Sequence, residues 1–102
     1  LLMMYENKNP IGGTFVFMAN SIVGIIFYNM INYEYEHIQP ASFLILETMK
    51  WAKKHNLKYL DFGVSQLPQS DNPLAPSPNL IKFKEQFSSH GMLRIAYQKE
   101  LK

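Results

Sequence analysis

The fold is decided by the stretch "PASFLILETMKWAKKHN", residues 40–56, and by "LKYLDFGV", residues 57–64, which follows it directly. Apolar residues recur at helical spacing in the first part, where Pro40 suits the first helical position and Asn56 a left-handed C-cap. The second part has the bulky, β-favouring residues of a buried strand. A helix that leads straight into a strand predicts a right-handed β-α-β crossover between parallel strands. The predicted apolar side of the helix comprises Ala41, Leu44, Ile45, Thr48, Met49 and Ala52, widened by Phe43, Leu46 and Trp51.

Three segments before the helix are typical of strands in an antiparallel meander, over residues 1–5, 12–19 and 22–30. Gly24 inside the third segment indicates a bulge or a close approach of the backbone. The segment "NYEYEH", residues 32–37, alternates tyrosine and glutamate, which is consistent with a polar strand end or with the rim of a pocket.

The chain downstream of the crossover begins with a proline-rich stretch, residues 66–78, which predicts a loop. A second helix is predicted over residues 78–90, with Ser77 as its cap, and a last strand over residues 92–101. The element order is therefore β-β-β-α-β-α-β. This is an α+β fold whose mixed sheet combines an antiparallel meander with one parallel β-α-β crossover.

Composition narrows the function classes. The 102 residues fit a single domain, and a net charge of +2 gives no argument for binding DNA. The chain has no cysteine, which excludes disulfides and fits a cytoplasmic location, and no metal site is predicted because its three histidines stand far apart. No apolar run reaches the roughly 20 residues that span a bilayer. The apolar start suggests a piece of a longer protein, an incomplete domain.

Asp61 is the first candidate for chemistry, because it places a carboxylate inside an otherwise apolar strand. Ligands of open sheets bind beyond the carboxyl ends of parallel strands, and Asp61 and Gly63 lie near such an end. Asp61 could therefore contact a ligand or handle a proton. It could equally accept hydrogen bonds from loop amides and organise the following turn.

Lys84 is the second candidate. At 100° per residue it falls between Leu80 and Ile81 on the apolar side of the second helix, whereas Lys82 lies on the solvated side. Such a lysine either curls its ammonium out to water or meets an anion. A positive charge that points into a cleft suits a phosphate or an oxyanion.

Taken in order, the hairpin strands, the helix at residues 40–56, "YLDFG" at residues 59–63 and "IKFKEQF" at residues 81–87 resemble the C-terminal part of GNAT-fold acyltransferases. The similarity covers roughly residues 12–98 and is strongest to the FemABX-like branch with its BioF2-like relatives. In that branch a helix ending in A-K-x-x-G leads to a strand ending in D-F-G. A loop and an F-K-x-x-F-G helix then follow.

The sequence departs from this family pattern at three places. Asn56 replaces the glycine that ends the first helix, and Ser88 replaces the glycine after the last phenylalanine. The Q/R-x-x-G-x-G/A loop, which holds the acyl-CoA pyrophosphate in ordinary GNAT enzymes, is replaced by "YEYEHIQP", residues 33–40. Its absence favours the FemABX-like branch, in which many members use aminoacyl-tRNA, or a member that has lost donor binding.

The resemblance implies that the parent protein moves an acyl or aminoacyl group onto an amine, with acyl-CoA or aminoacyl-tRNA as donor and no tightly bound cofactor. It implies a small molecule or a cell-wall precursor as acceptor. The alternative is a non-catalytic binding or assembly module of the same fold. Lys84 and Asp61 are the implied catalytic residues. The residues assigned to substrate binding are Tyr28, Phe62, Gly63 and Phe83. The segment alone is expected to be inactive and to self-associate, as a dimer, through exposed apolar surface.

Overall fold

A computed structural model describes residues 1–65, 71–72, 75–93 and 97–101. The chain forms two compact units, Leu1–Val64 and Ser65–Lys102. The prediction of one domain over all 102 residues stays a prediction.

The first unit is built on a four-stranded sheet in the order β1-β2-β3-β4. Its strands are β1 (Leu2–Glu6), β2 (Asn9–Met18), β3 (Val23–Ile31) and β4 (Tyr59–Asp61). The first three strands pair antiparallel and β4 pairs parallel to β3. The predicted meander and the parallel crossover are therefore confirmed.

Helix α1 (Pro40–Lys54) makes the crossover connection between β3 and β4. Its buried residues are Pro40, Leu44, Ile45, Thr48 and Ala52. Four of them, all but Pro40, belong to the predicted apolar stripe, whose other two members, Ala41 and Met49, are half-buried. The predicted widening is wrong for Phe43 and Leu46, which are each 47% exposed. Only one side of α1 packs on the sheet. The packing is close, because a β-carbon on Gly12 would come within 2.9 Å of Leu44 Cδ1. A narrow stripe of apolar residues is therefore enough to cover this contact.

Both predicted helix-end features of α1 are present. Pro40 is the first residue of the helix. The first backbone N–H groups of a helix have no partner within it, so the missing N–H of proline costs no helical hydrogen bond at this position. Asn56 has a φ of 62°, the left-handed conformation expected after a helix. The backbone N–H of Leu57 donates to the carbonyl of Ala52 across this turn, which starts the chain toward β4.

The sheet contains a bulge, but not at Gly24. The register between β2 and β3 shifts between Phe15 and Val16, which pair with Tyr28 and Ile26 and leave Phe27 as the extra residue. At Gly24 the alternative prediction, close packing, fits better. A β-carbon there would lie 3.1 Å from Leu57 Cδ1, so glycine makes room for a core side chain.

The bulge also sorts side chains between the two faces of the sheet. Thr14 and Ile26 are buried on the face that carries α1. We call the opposite face the aromatic face. It is defined by exposed residues that alternate with the buried ones: Met3, Phe15, Phe17, Phe27, Tyr28, Met30 and Tyr59.

Two strand predictions need correction. Residues 33–38 form a 3₁₀ helix, Tyr33–Ile38, and not a strand end, because Asn32 caps it by accepting a hydrogen bond from the Glu34 N–H. The predicted strand at residues 57–64 shortens to Tyr59–Asp61. Tyr59 and Val64 are 66% and 55% exposed and not buried, since β4 is an edge of the described sheet with a hydrogen-bonded neighbour on one side only.

In the second unit, α2 spans Pro78–Glu85 and Ser77 occupies its N-cap position, as predicted, but the Ser77 side chain makes no capping hydrogen bond. The helix ends earlier than residue 90 because a turn follows and Ser88 adopts a left-handed φ of 61°. The predicted strand over residues 92–101 does not form at residues 92–93 or 97–101, where no ladder to a neighbouring strand is present. Residues 94–96 of that stretch lie outside the described residues.

Candidate functional site

The first cluster of candidate residues lies where β4 ends. Asp61 is the last residue of β4 and pairs with Ile25 of β3. Its Oδ1 accepts a hydrogen bond of 2.7 Å from the backbone N–H of Gly63. Gly63 has a φ of 76°, which favours glycine because a β-carbon there is strained. The Asp61 carboxylate therefore terminates the strand and holds the turn that follows.

This geometry bears on the two interpretations of Asp61. A carboxylate that accepts a bond from a loop amide two residues later is what the loop-organising interpretation requires. Asp61 is only half-buried, so part of its surface is open to solvent. A ligand could reach the same carboxylate, and both roles are compatible with the geometry.

The parallel ladder between β3 and β4 stops at the pair of Ile25 and Asp61, although β3 continues to Ile31. Gly63 still runs near β3, because a β-carbon on it would lie 3.5 Å from the carbonyl oxygen of Ile26. Phe62, between them, is half-buried. Asp61, Phe62 and Gly63 are thus brought together at the carboxyl end of β4, beside the part of β3 that extends past the ladder.

Tyr28 lies on that extending part of β3. It is 55% exposed on the aromatic face. Its ring contacts Phe27, with centroids 4.6 Å apart, and Phe27 in turn contacts Phe17 at 5.0 Å. Strand alternation puts Asp61 on the same face, since its neighbour Leu60 packs near Gly24 on the opposite one. Tyr28 and Asp61 therefore share one face on neighbouring strands, about 10 Å apart along the sheet.

The second cluster belongs to the second unit. Lys84 is half-buried on α2, and its Nζ donates a hydrogen bond of 2.9 Å to Ser65 Oγ. The predicted division of the helix is present, because Leu80 and Ile81 are half-buried while Lys82 is exposed. The lysine thus reaches a fixed polar group on the protein.

Phe83 is half-buried beside Lys84 and packs its ring against Phe87, with centroids 5.4 Å apart. Ser65 is not among the site residues predicted from the sequence. A lysine on an apolar helix face requires a polar partner, which is the signal that could have found one. The sequence between β4 and α2 offers several hydroxyl and amide side chains, however, so the spacing alone does not select Ser65.

A third feature is the segment that replaces the pyrophosphate loop of the resembled family. The 3₁₀ helix Tyr33–Ile38 has no glycine and exposes Glu34 and Glu36. Gln39 follows with a left-handed φ of 53°, and α1 then begins with Pro40, which has no N–H to offer. Two carboxylates and a proline at this helix start make a poor site for an anion.

The described parts of the chain give two shallow depressions and no group of three metal-binding side chains. One depression, of about 170 Å³, lies between the end of α1 and β4; the other, of about 250 Å³, lies beside β1 and β2. None of the candidate residues lines either one. Among the residues that the structure describes, no helix is long and apolar enough to cross a membrane.

Comparison with known proteins identifies the protein family. A search of curated proteins returns no significant match. Residues 1–71 match the family model described as "Acetyltransferase (GNAT) domain", and the matched region covers all four strands and α1. This is more than half of the 102 residues. The mixed sheet with one parallel pair agrees with a partial GNAT fold. The chain therefore belongs to the GNAT acetyltransferase-domain family.

Proposed function

We propose that the protein transfers an acyl or aminoacyl group to an amine in the manner of the FemABX-like branch, with Lys84 as its charged catalytic residue. The observation that carries this proposal is the Lys84 ammonium, which α2 directs to a fixed hydroxyl and keeps half-buried. A cation in such a place suits the negative charge that develops on a carbonyl oxygen during acyl transfer.

The reaction needs few parts from the protein. The amine nitrogen attacks the donor carbonyl, a C–N bond forms, and the C–S or C–O bond to the donor breaks. A proton leaves the amine and ends on the leaving group, with the substrate or water as its carrier. Lys84 stabilises the oxyanion between the two bond changes.

The donor is proposed from what replaces the pyrophosphate loop. GNAT domains commonly use acyl-CoA, but the acidic 3₁₀ helix with Glu34 and Glu36 disfavours a pyrophosphate at the start of α1. An aminoacyl-tRNA, which carries its acyl group as a ribose ester and has no pyrophosphate next to it, is therefore the favoured donor. A small-molecule amine or a cell-wall precursor is the proposed acceptor.

A second candidate function rests on the same segment. A GNAT-fold domain without a pyrophosphate site could have lost donor binding and serve as a binding or assembly module. Titration with acetyl-CoA and with an alanyl-RNA microhelix separates the two functions. Binding of the RNA at micromolar concentration supports transfer, whereas no binding of either donor supports the module.

The test of the proposed function is a transfer assay with the full-length protein. Acetyl-CoA and the alanyl-RNA microhelix serve as donors, and a lysine-containing peptide and an amine-bearing cell-wall pentapeptide serve as acceptors. Lys84→Met is expected to remain folded and to lose about a hundredfold to a thousandfold in rate, the usual effect of removing one oxyanion contact. Lys82→Met, on the exposed side of the same helix, is the matched control. Equal rates for both variants would refute the role of Lys84.

A further inference from the structure

Lys84 makes one hydrogen bond through its side chain and one through its backbone. Its Nζ donates to Ser65 Oγ at 2.9 Å, and its own carbonyl oxygen accepts a hydrogen bond of 2.7 Å from Ser89 Oγ. A lysine side chain has four rotatable bonds, and its ammonium otherwise samples many positions. The bond to Ser65 selects one of them.

Ser65 is itself fixed by the start of α2. Its carbonyl oxygen accepts a hydrogen bond of 2.8 Å from the backbone N–H of Ser77, the N-cap residue of that helix. Ser77 is buried, with 9% of its surface exposed. The residue whose hydroxyl receives Lys84 is therefore hydrogen-bonded through its backbone to the N-cap residue of the helix that carries Lys84.

We propose that Ser65 positions the Lys84 ammonium for the transfer step. This inference rests on the proposed function, because it assigns a second residue to the same charge. An ammonium has three N–H donors, and holding one of them on Ser65 restricts the positions that the Lys84 nitrogen samples. Ser65 acts through Lys84 and contacts no reacting atom, so it is a positioning residue.

The chemistry explains why such a residue matters. An oxyanion contact acts only when the donor already sits where the charge develops, and a displacement of about 1 Å can cost about a hundredfold in rate. A freely moving ammonium spends little time in the productive position. Ser65 raises the fraction of time that the ammonium spends in that position, without adding a charge of its own.

The first experiment measures the hold on Lys84 without any substrate. The chain is labelled with trace acetic anhydride, and acetylation of each lysine is quantified by mass spectrometry. Ser65→Ala is expected to raise labelling of Lys84 severalfold and to leave that of Lys82 unchanged. Equal labelling of Lys84 in wild type and Ser65→Ala would overturn the inference.

The second experiment measures transfer in the full-length protein with the donors and acceptors named above. Ser65→Ala is expected to lower kcat about tenfold to a hundredfold, to leave KM within about twofold, and to leave the melting temperature nearly unchanged. Ser65→Thr, which keeps a hydroxyl in the same place, is expected to recover most of the rate. In a Lys84→Met background, Ser65→Ala should lower kcat no further.

The outcomes separate the two proposals. Wild-type kcat in Ser65→Ala beside an inactive Lys84→Met overturns the positioning role and leaves the proposed function standing. Wild-type kcat in Lys84→Met overturns both. An additive loss in the double variant shows that Ser65 acts independently of Lys84, which also overturns the inference.

Discussion

The left-handed backbone at Ser88 gives a stability prediction that can be worked through in numbers. Ser88 has a φ of 61° at the end of the α2 turn, and such a conformation costs an L-residue about 1–2 kcal/mol. Glycine removes that cost but loses about 0.5–1 kcal/mol more conformational entropy on folding. Ser88→Gly is therefore expected to raise the free energy of unfolding by about 0.5–1 kcal/mol, or a few degrees in melting temperature.

Two other glycine variants make the experiment decisive. Gln86 has a φ of −60°, so Gln86→Gly brings the entropy loss without relief of strain and should destabilise by about 0.5–1 kcal/mol. Asn56 has a φ of 62°, but asparagine tolerates this region, so Asn56→Gly should gain less than Ser88→Gly. Urea unfolding of each variant, followed by far-UV circular dichroism, gives the comparison. If Ser88→Gly loses as much stability as Gln86→Gly, the strain argument is refuted.

Three further predictions concern the first unit. Leu44→Ala should lower the free energy of unfolding by about 2–5 kcal/mol, because Leu44 is 2% exposed. Leu46 on the same helix is 47% exposed, so Leu46→Ala should cost under about 1 kcal/mol, and equal losses in urea unfolding would contradict the packing. Asp61→Ala should cost about 1–2 kcal/mol by removing the acceptor of the Gly63 N–H, and Asp61→Asn, which retains an oxygen there, should cost less; thermal melts that rank them in reverse would count against the turn. The aromatic face exposes seven large apolar side chains, so the chain should dimerise and Phe17→Ser should weaken the dimer in sedimentation equilibrium; a monomer at all concentrations would rule this out.

The parts of the fold that follow from local pattern could be predicted from the sequence. The stripe of α1, its Pro40 start and its Asn56 end depend on helical spacing and on local backbone chemistry, and all three are present. The sequence indicated that Asp61 could accept loop amides, but the length of β4 does not follow from residue alternation, because the bond from the Gly63 amide to the Asp61 carboxylate competes with continuation of the strand. The alternation of polar and apolar residues carries no information on whether such a local hydrogen bond replaces a strand pairing.

The candidate site likewise contains one residue that the local pattern predicts and one that it does not. The unusual position of Lys84 on its helix could be read from spacing, since a 3.6-residue period places every side chain on a face. Its partner Ser65 comes from 19 residues earlier in the chain, and such a contact depends on how the loop closes between Ser65 and Ser77. The bulge at Phe27 likewise arises from the pairing of two strands, which neither strand reveals alone.

The same bulge has a consequence for how the hairpin of β2 and β3 finds its alignment. In a regular hairpin a slip by two residues returns every side chain to its own face, so misaligned pairings can persist as kinetic traps. Here the extra residue, Phe27, interrupts the pleat at one place, and its ring contacts both Phe17 and Tyr28. A slipped hairpin would displace the bulge from these rings and lose their mutual packing. The bulge thus marks one alignment as correct, and misregistered hairpins should dissolve quickly during folding.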